Sequence, residues 1–134
     1  MLSVFPILFS YALVVPFVFR LIVGLTFLWF GFLKLTRERK SKTEMFESVG
    51  MRPADLYLWL VAILEILAGL TLVLGFLTQL AALILSIVTL AAILIKYRQP
   101  AAIASSFGFL CLLFAVSLSL LFLGPGFYAF DLPL

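Results

Sequence analysis

The sequence predicts an all-α protein: a four-helix transmembrane bundle with a short amphipathic helix in the first cytoplasmic loop. Three observations carry that prediction. Of the 134 residues, 66% are hydrophobic and 11% charged, with a mean hydropathy of +1.32; a soluble domain is nearer about 45–50% apolar and about 25% charged. There is too little polar surface to coat a globule in water. The apolar residues also fall into four runs of helical length, and the Lys and Arg side chains gather in the stretches between them. The whole chain, 1–134, reads as a single membrane domain.

A hydrocarbon core about 30 Å thick requires about 20 helical residues, which sets the spans at about 16–35, 53–75, 78–95 and 101–123. The first ends near Lys34, and Pro6 and Pro16 leave two starts open: one long kinked helix, or a short interfacial segment followed by a helix from Pro16. Proline in a first turn costs little, which makes the second easy to build. The first 19 residues hold no Lys or Arg, which argues against a signal peptide. In the second span, Pro53 suits the first turn and Asp55 the positive end of the helix dipole, while Gly75 marks the end. Only a few residues separate it from the third span at Thr78, which predicts a tight antiparallel hairpin. The fourth follows Pro100 and stops at Gly124-Pro125-Gly126.

Between the first two spans, Thr43 to Val49 is predicted to form the short helix, with Thr43 as N-cap, Phe46 and Val49 on one face and Gly50 ending it. It reads either as an interfacial helix on the inner leaflet or as a lid over a cavity. Arg37, Arg39, Lys40, Lys42 and Arg52 lie in this loop, with Lys96 and Arg98 at the edge of the third. The positive-inside rule places both loops in the cytoplasm and both termini outside, as expected for an integral protein of a prokaryotic inner membrane. Small residues four or seven apart, Gly24 and Gly31, Ala82 and Ser86, Ala104 and Gly108, allow helix backbones to approach closely.

Absent residue types exclude much chemistry. With no His and the single Cys111, the chain offers no imidazole metal site, no disulfide of its own and no iron–sulfur cluster ligand set. No metal and no intrinsic cofactor is expected, and no residue pattern marks a catalytic centre. The net charge of +3 sits in membrane-flanking loops and does not indicate nucleic-acid binding.

Glu65 is the one charged residue between Leu56 and Ile95. A charge in hydrocarbon costs roughly 2.5–3.5 kcal/mol on insertion scales, which makes it a functional-site candidate. Counting from the inner boundary at 1.5 Å per residue, Arg20 lies about 22 Å deep and Glu65 roughly 13–14 Å. That arithmetic predicts an Arg20–Glu65 pair, and leaves Lys34 at the interface as a poorer partner. Asp131 falls on the outer side with Arg20, close after Tyr128, so that one guanidinium is able to serve both acids. The aromatics Trp29, Phe27, Phe30, Trp59 and Tyr57 are read as either pocket lining or interface anchors. The candidate ligand-binding set is therefore Arg20, Glu65, Asp131, Lys34, Trp29 and Tyr128.

At these residues the chain resembles the DoxX family of small four-helix membrane proteins. The likeness rests on Arg20 to Lys34 with Gly24 and Gly31, on Glu65 to Thr78 with Gly69 and Gly75, and on Gly124-Pro125-Gly126 followed by Asp131. It implies four membrane helices and an association with quinone-linked sulfur oxidation, and it transfers no catalytic role. The expectation that follows is a membrane subunit of a quinone-linked oxidoreductase system with a buried polar site. The alternative is a non-catalytic accessory or assembly subunit of a larger membrane complex. A proton-conducting or transport role for Glu65 ranks last, because four spans are few and no interrupted helix pair is evident. Expected partners are membrane lipids, a bound quinone or lipid, and either a larger complex or a second copy of the chain.

Overall fold

The computed structural model describes residues 4–37, 39–48, 50, 53–100 and 106–124, with the backbone alone at position 9. All described secondary structure is helical. A short 3-10 helix, Pro6–Tyr11, precedes α1 (Val14–Leu35), α2 (Arg39–Ser48), α3 (Ala54–Leu74), α4 (Thr78–Arg98) and α5 (Phe107–Leu123). Of the two starts left open by the prolines, the segmented one forms: the chain turns at Ala12 and Leu13, and Pro16 sits in the first turn of α1.

Helices α1, α3 and α4 are long and apolar enough to cross a membrane, and α5 is a shorter apolar helix. At 22 and 21 residues the three long ones reach ~32 Å, the thickness of a hydrocarbon core. Local chemistry sets their ends. At the end of α3, Gly75 adopts φ 75° and closes the helix with Gly75 N–H to Leu72 O and Phe76 N–H to Thr71 O, the left-handed turn that a residue without Cβ adopts most readily. Leu77 follows with φ 48°, and Thr78 opens α4. The Ser106 hydroxyl accepts the Phe109 N–H at 3.2 Å and caps α5.

Helix α2 begins four residues before the predicted start, so that Thr43 lies inside it and is not its N-cap; its hydroxyl donates to the Arg39 carbonyl at 2.7 Å. The expected stop holds: α2 ends at Ser48, and Gly50 has φ 86°. α4 runs three residues beyond the predicted span, to Arg98.

The most extensive contact is α1 against α3, followed by α4 against α5, with α3–α4 and α1–α5 closing the ring. Glycines set the first of these. A Cβ on Gly69 would stand 2.7 Å from the Gly24 carbonyl oxygen, and one on Gly24 would stand 2.8 Å from the Gly69 carbonyl oxygen. The two backbones therefore touch without a side chain between them. By contrast, a Cβ on Gly108 would meet nothing within 4 Å among the described residues, so no described helix packs closely on Gly108. Ala104 lies outside the described residues.

Two apolar clusters fill the bundle. One, toward the Gly75 turn, joins Val23, Phe27, Leu72, Leu85 and Leu120. The other, at the opposite end, joins Met45 and Phe46 of α2 to Ala54 and Leu58 of α3 and Leu110 of α5. Outside, Ile22, Leu25, Trp29 and Phe32 of α1 and Leu60, Ile63, Leu67 and Leu70 of α3 are exposed. The buried set includes Arg20, Glu65, Thr78, Ser86, Thr89 and Ser117. An apolar exterior around polar buried groups is what a lipid solvent selects.

Candidate functional site

The close α1–α3 packing fixes what lies beside Glu65. Gly24 faces the α3 turn at Gly69–Val73, and Gly31 faces the turn at Ala62–Ile66. The two helices are thus antiparallel, and Glu65 stands level with Phe30 of α1. Lys34 is then one turn away along the axis, ~6 Å, and Arg20 is ~15 Å away in the other direction. Side chains lean toward the N-terminus of their own helix. Lys34 therefore leans up to Glu65 and Glu65 leans down to Lys34, while Arg20 leans away from both.

The structure accordingly pairs Glu65 with Lys34 and not with Arg20. The Lys34 Nζ donates to Glu65 Oε1 in an ion pair whose side chains are 14% and 2% exposed. The predicted Arg20–Glu65 pair fails because it assumed that α1 and α3 meet the inner boundary at one plane. In the observed register the first turns of α3 project past the end of α1, and α2 packs against that projection through Met45 and Phe46. Arg20 is buried near the Gly75 end of the bundle, its guanidinium 5.2 Å from the centre of the Phe17 ring. Asp131 and Tyr128 lie outside the described residues.

Around the ion pair is a cavity of about 280 Å³. Its polar lining is Lys34, Glu65, Lys42 of α2 and Thr89 of α4. The Thr89 hydroxyl is already committed, donating to the Leu85 carbonyl at 2.7 Å. Glu65 Oε2 is buried and has no hydrogen-bond partner among the described residues. An ionised carboxylate accepts hydrogen bonds and donates none, so this oxygen is an unmet acceptor on a residue that lines the cavity. Such an atom normally costs about 1–3 kcal/mol or more for a charged group.

The rest of the lining is apolar and includes three aromatic rings, Phe27, Phe30 and Phe46. Phe30 is held edge-on between Phe27 and Phe109, with ring centres 6.3 and 6.1 Å apart, which fixes its face. Met45 and Phe46 close the α2 end. Helix α2 is tied there by the Ser48 hydroxyl, 3.0 Å from Gln99 Oε1, and by Thr43 Oγ1, 3.4 Å from Asp55 Oδ1. This segment covers the cavity at that end through Met45 and Phe46. On the α4 side, Ile87 and Ala91 line the cavity yet are exposed on the outer surface of the bundle. The cavity therefore reaches the apolar exterior beside α4.

Of the residues singled out in the sequence, Glu65 and Lys34 come together here, with Phe27 and Phe30. Trp29 does not join them. It is 53% exposed and stacks on Phe32 on the outer face of α1. Tyr57 and Trp59 are exposed as well, and Arg39 lies over the Trp59 ring at 5.8 Å, the arrangement of an interfacial anchor. Sequence reasoning offered the Thr43–Val49 segment as a cover over a cavity but did not single out Lys42, Met45 and Phe46 as its walls. Their signal was the paired apolar residues inside a basic segment.

The family comparison now bears on the same elements. The DoxX family model matches residues 15–98, more than half of the chain and the whole of α1 through α4 from its second residue. The chain belongs to the DoxX family. Comparisons with curated proteins and with solved structures returned no match. This DoxX protein is an integral membrane protein, and the matched region carries both members of the ion pair, helix α2 and the α4 wall of the cavity.

Proposed function

We propose that this DoxX protein is a membrane subunit of a quinone-linked oxidoreductase system, and that its cavity seats the ring of a membrane-soluble quinone or quinol. One observation carries the reading: an aromatic-lined space of about 280 Å³ holds a buried ion pair and meets the lipid-facing surface beside α4. Small-ligand sites are mostly apolar clefts of about 300–1,000 Å³ with a few placed polar groups. A cavity just below that range fits one ring better than a bulky headgroup. An opening onto the apolar exterior suits a ligand that partitions into the bilayer. Lys34 and Glu65 are the groups that orient it, and Lys42 lies at the same wall.

In this reading all four apolar helices, α1, α3, α4 and α5, cross an inner membrane. The basic end that carries α2 faces the cytoplasm and both termini lie outside, as the distribution of Lys and Arg supports. The chain has no His and one Cys, so the electrons pass through a redox centre on a partner subunit while this chain holds the ring. Arg20, near the other end of the bundle, takes no part in the site.

Purification from native membranes followed by solvent extraction is expected to release a quinone or quinol in amounts comparable with the protein. A short-chain benzoquinone is expected to raise the unfolding temperature. At a free concentration of 100 Kd, a ligand of the folded state adds about 2.7 kcal/mol. If nothing co-purifies and neither redox form shifts unfolding, the reading fails.

A further inference from the structure

We propose that the cavity selects the reduced form of its ligand, a hydroquinone or phenol, over the oxidised quinone. This inference rests on the reading of the cavity as a ring site. It follows from donor and acceptor types at the wall. Lys34 donates one N–H to Glu65 Oε1, and its ammonium carries three. Glu65 Oε2 is buried, lacks a donor among the described residues, and belongs to a side chain 2% exposed. Thr89 has its hydroxyl proton directed to the Leu85 carbonyl. The lining therefore combines Glu65, whose buried Oε2 lacks a donor among the described residues, with the Lys34 ammonium, which requires acceptors, and Lys42 stands at the same wall.

A quinone oxygen is an acceptor only. It satisfies Lys34 but brings two acceptors together at Glu65 Oε2, which is repulsive. A hydroquinone hydroxyl satisfies both. Its O–H donates to Glu65 Oε2, and its lone pairs accept from the Lys34 ammonium. Both contacts are charge-assisted, the stronger class of hydrogen bond. The ring lies among Phe27, Phe30 and Phe46, which offer the same apolar contact to either redox form. The discrimination thus comes from one hydrogen atom.

The test uses the full-length protein in detergent under anaerobic conditions. Dissociation constants are measured for a decyl-chain benzoquinone, the matching hydroquinone and the hydroquinone dimethyl ether, which keeps the reduced ring but cannot donate. The hydroquinone is expected to bind ~10-fold or more tightly than the other two, the factor one retained charge-assisted bond supplies. In Glu65→Gln, where the amide also donates, the preference is expected to fall to ~3-fold or less. Equal or tighter binding of the benzoquinone overturns the inference and leaves the ring site standing. So does equal binding of the dimethyl ether, a comparison that needs no variant to fold. If none of the three binds, the inference and the ring-site reading fall together.

Discussion

Lys34→Met is expected to lower stability by about 3–5 kcal/mol, the range seen when one partner of a buried ion pair is removed. The substitution keeps the length and apolar stem of the side chain but leaves Glu65, 2% exposed, with neither of its oxygens paired. Glu65→Gln is expected to cost less. Lys34 stands one residue from the end of α1, and its ammonium is able to swing toward the membrane interface when its partner is lost. The double variant Lys34→Met with Glu65→Leu is expected to recover most of the loss, because an apolar pair needs no desolvation. Denaturation with SDS in mixed micelles reads all three. A double-mutant cycle is expected to give a coupling of about 1–3 kcal/mol for Lys34 and Glu65, and near zero for Arg20 and Glu65. Additivity in the first pair would remove the ion pair as a stabilising contact.

Gly69→Ala is expected to cost about 1–3 kcal/mol, while the same substitution at Gly108 is neutral or stabilising by about 1 kcal/mol. The added methyl at Gly69 would sit 2.7 Å from the Gly24 carbonyl oxygen and 3.1 Å from the Leu28 nitrogen. Both are backbone atoms, so the helices must part. At Gly108 it meets nothing within 4 Å among the described residues, and alanine is simply the better helix former. Parting α1 from α3 also shifts Lys34 relative to Glu65. Thermal unfolding of the two variants beside the parent protein checks the contrast. Equal behaviour of the two would show that backbone contact does not set the α1–α3 register.

That register explains which features were legible in the sequence. Helix limits follow from local chemistry: Gly75 in the left-handed region, Pro16 in a first turn and a few polar residues between apolar runs. They were readable to within a few positions, except that α5 begins at Phe107 where a start near 101 was expected. The isolation of Glu65 was also readable, because burying a charge is a property of one residue. Its partner was not, since partner choice depends on how far α3 slides along α1. Boundary-based depth placed Arg20 nearer. The glycines decide otherwise, and the clue was present. Gly24 and Gly31 lie seven apart on α1, as do Ala62 and Gly69 on α3. Setting these small residues against each other puts Glu65 nearer Lys34 than Arg20 along the axis, and the lean of each side chain toward its own N-terminus completes the choice. The cavity was less legible still. It depends on α2 folding back so that Met45 and Phe46 lodge against Ala54, Leu58 and Leu110, a long-range contact with no local signature beyond an apolar pair.

A ligand that enters the space beside Lys34 and Glu65 must compete with any side chain that fills it. Ala92 lines it from α4 and is half-buried, so Ala92→Phe fills the space without adding charge. The decisive measurement is the unfolding temperature of the parent protein and of Ala92→Phe, each with and without the decyl-chain hydroquinone. The account predicts a ligand-induced rise in the parent and none in Ala92→Phe, with the unliganded variant still unfolding cooperatively. An equal rise in both proteins would contradict it, because the ligand would then bind elsewhere.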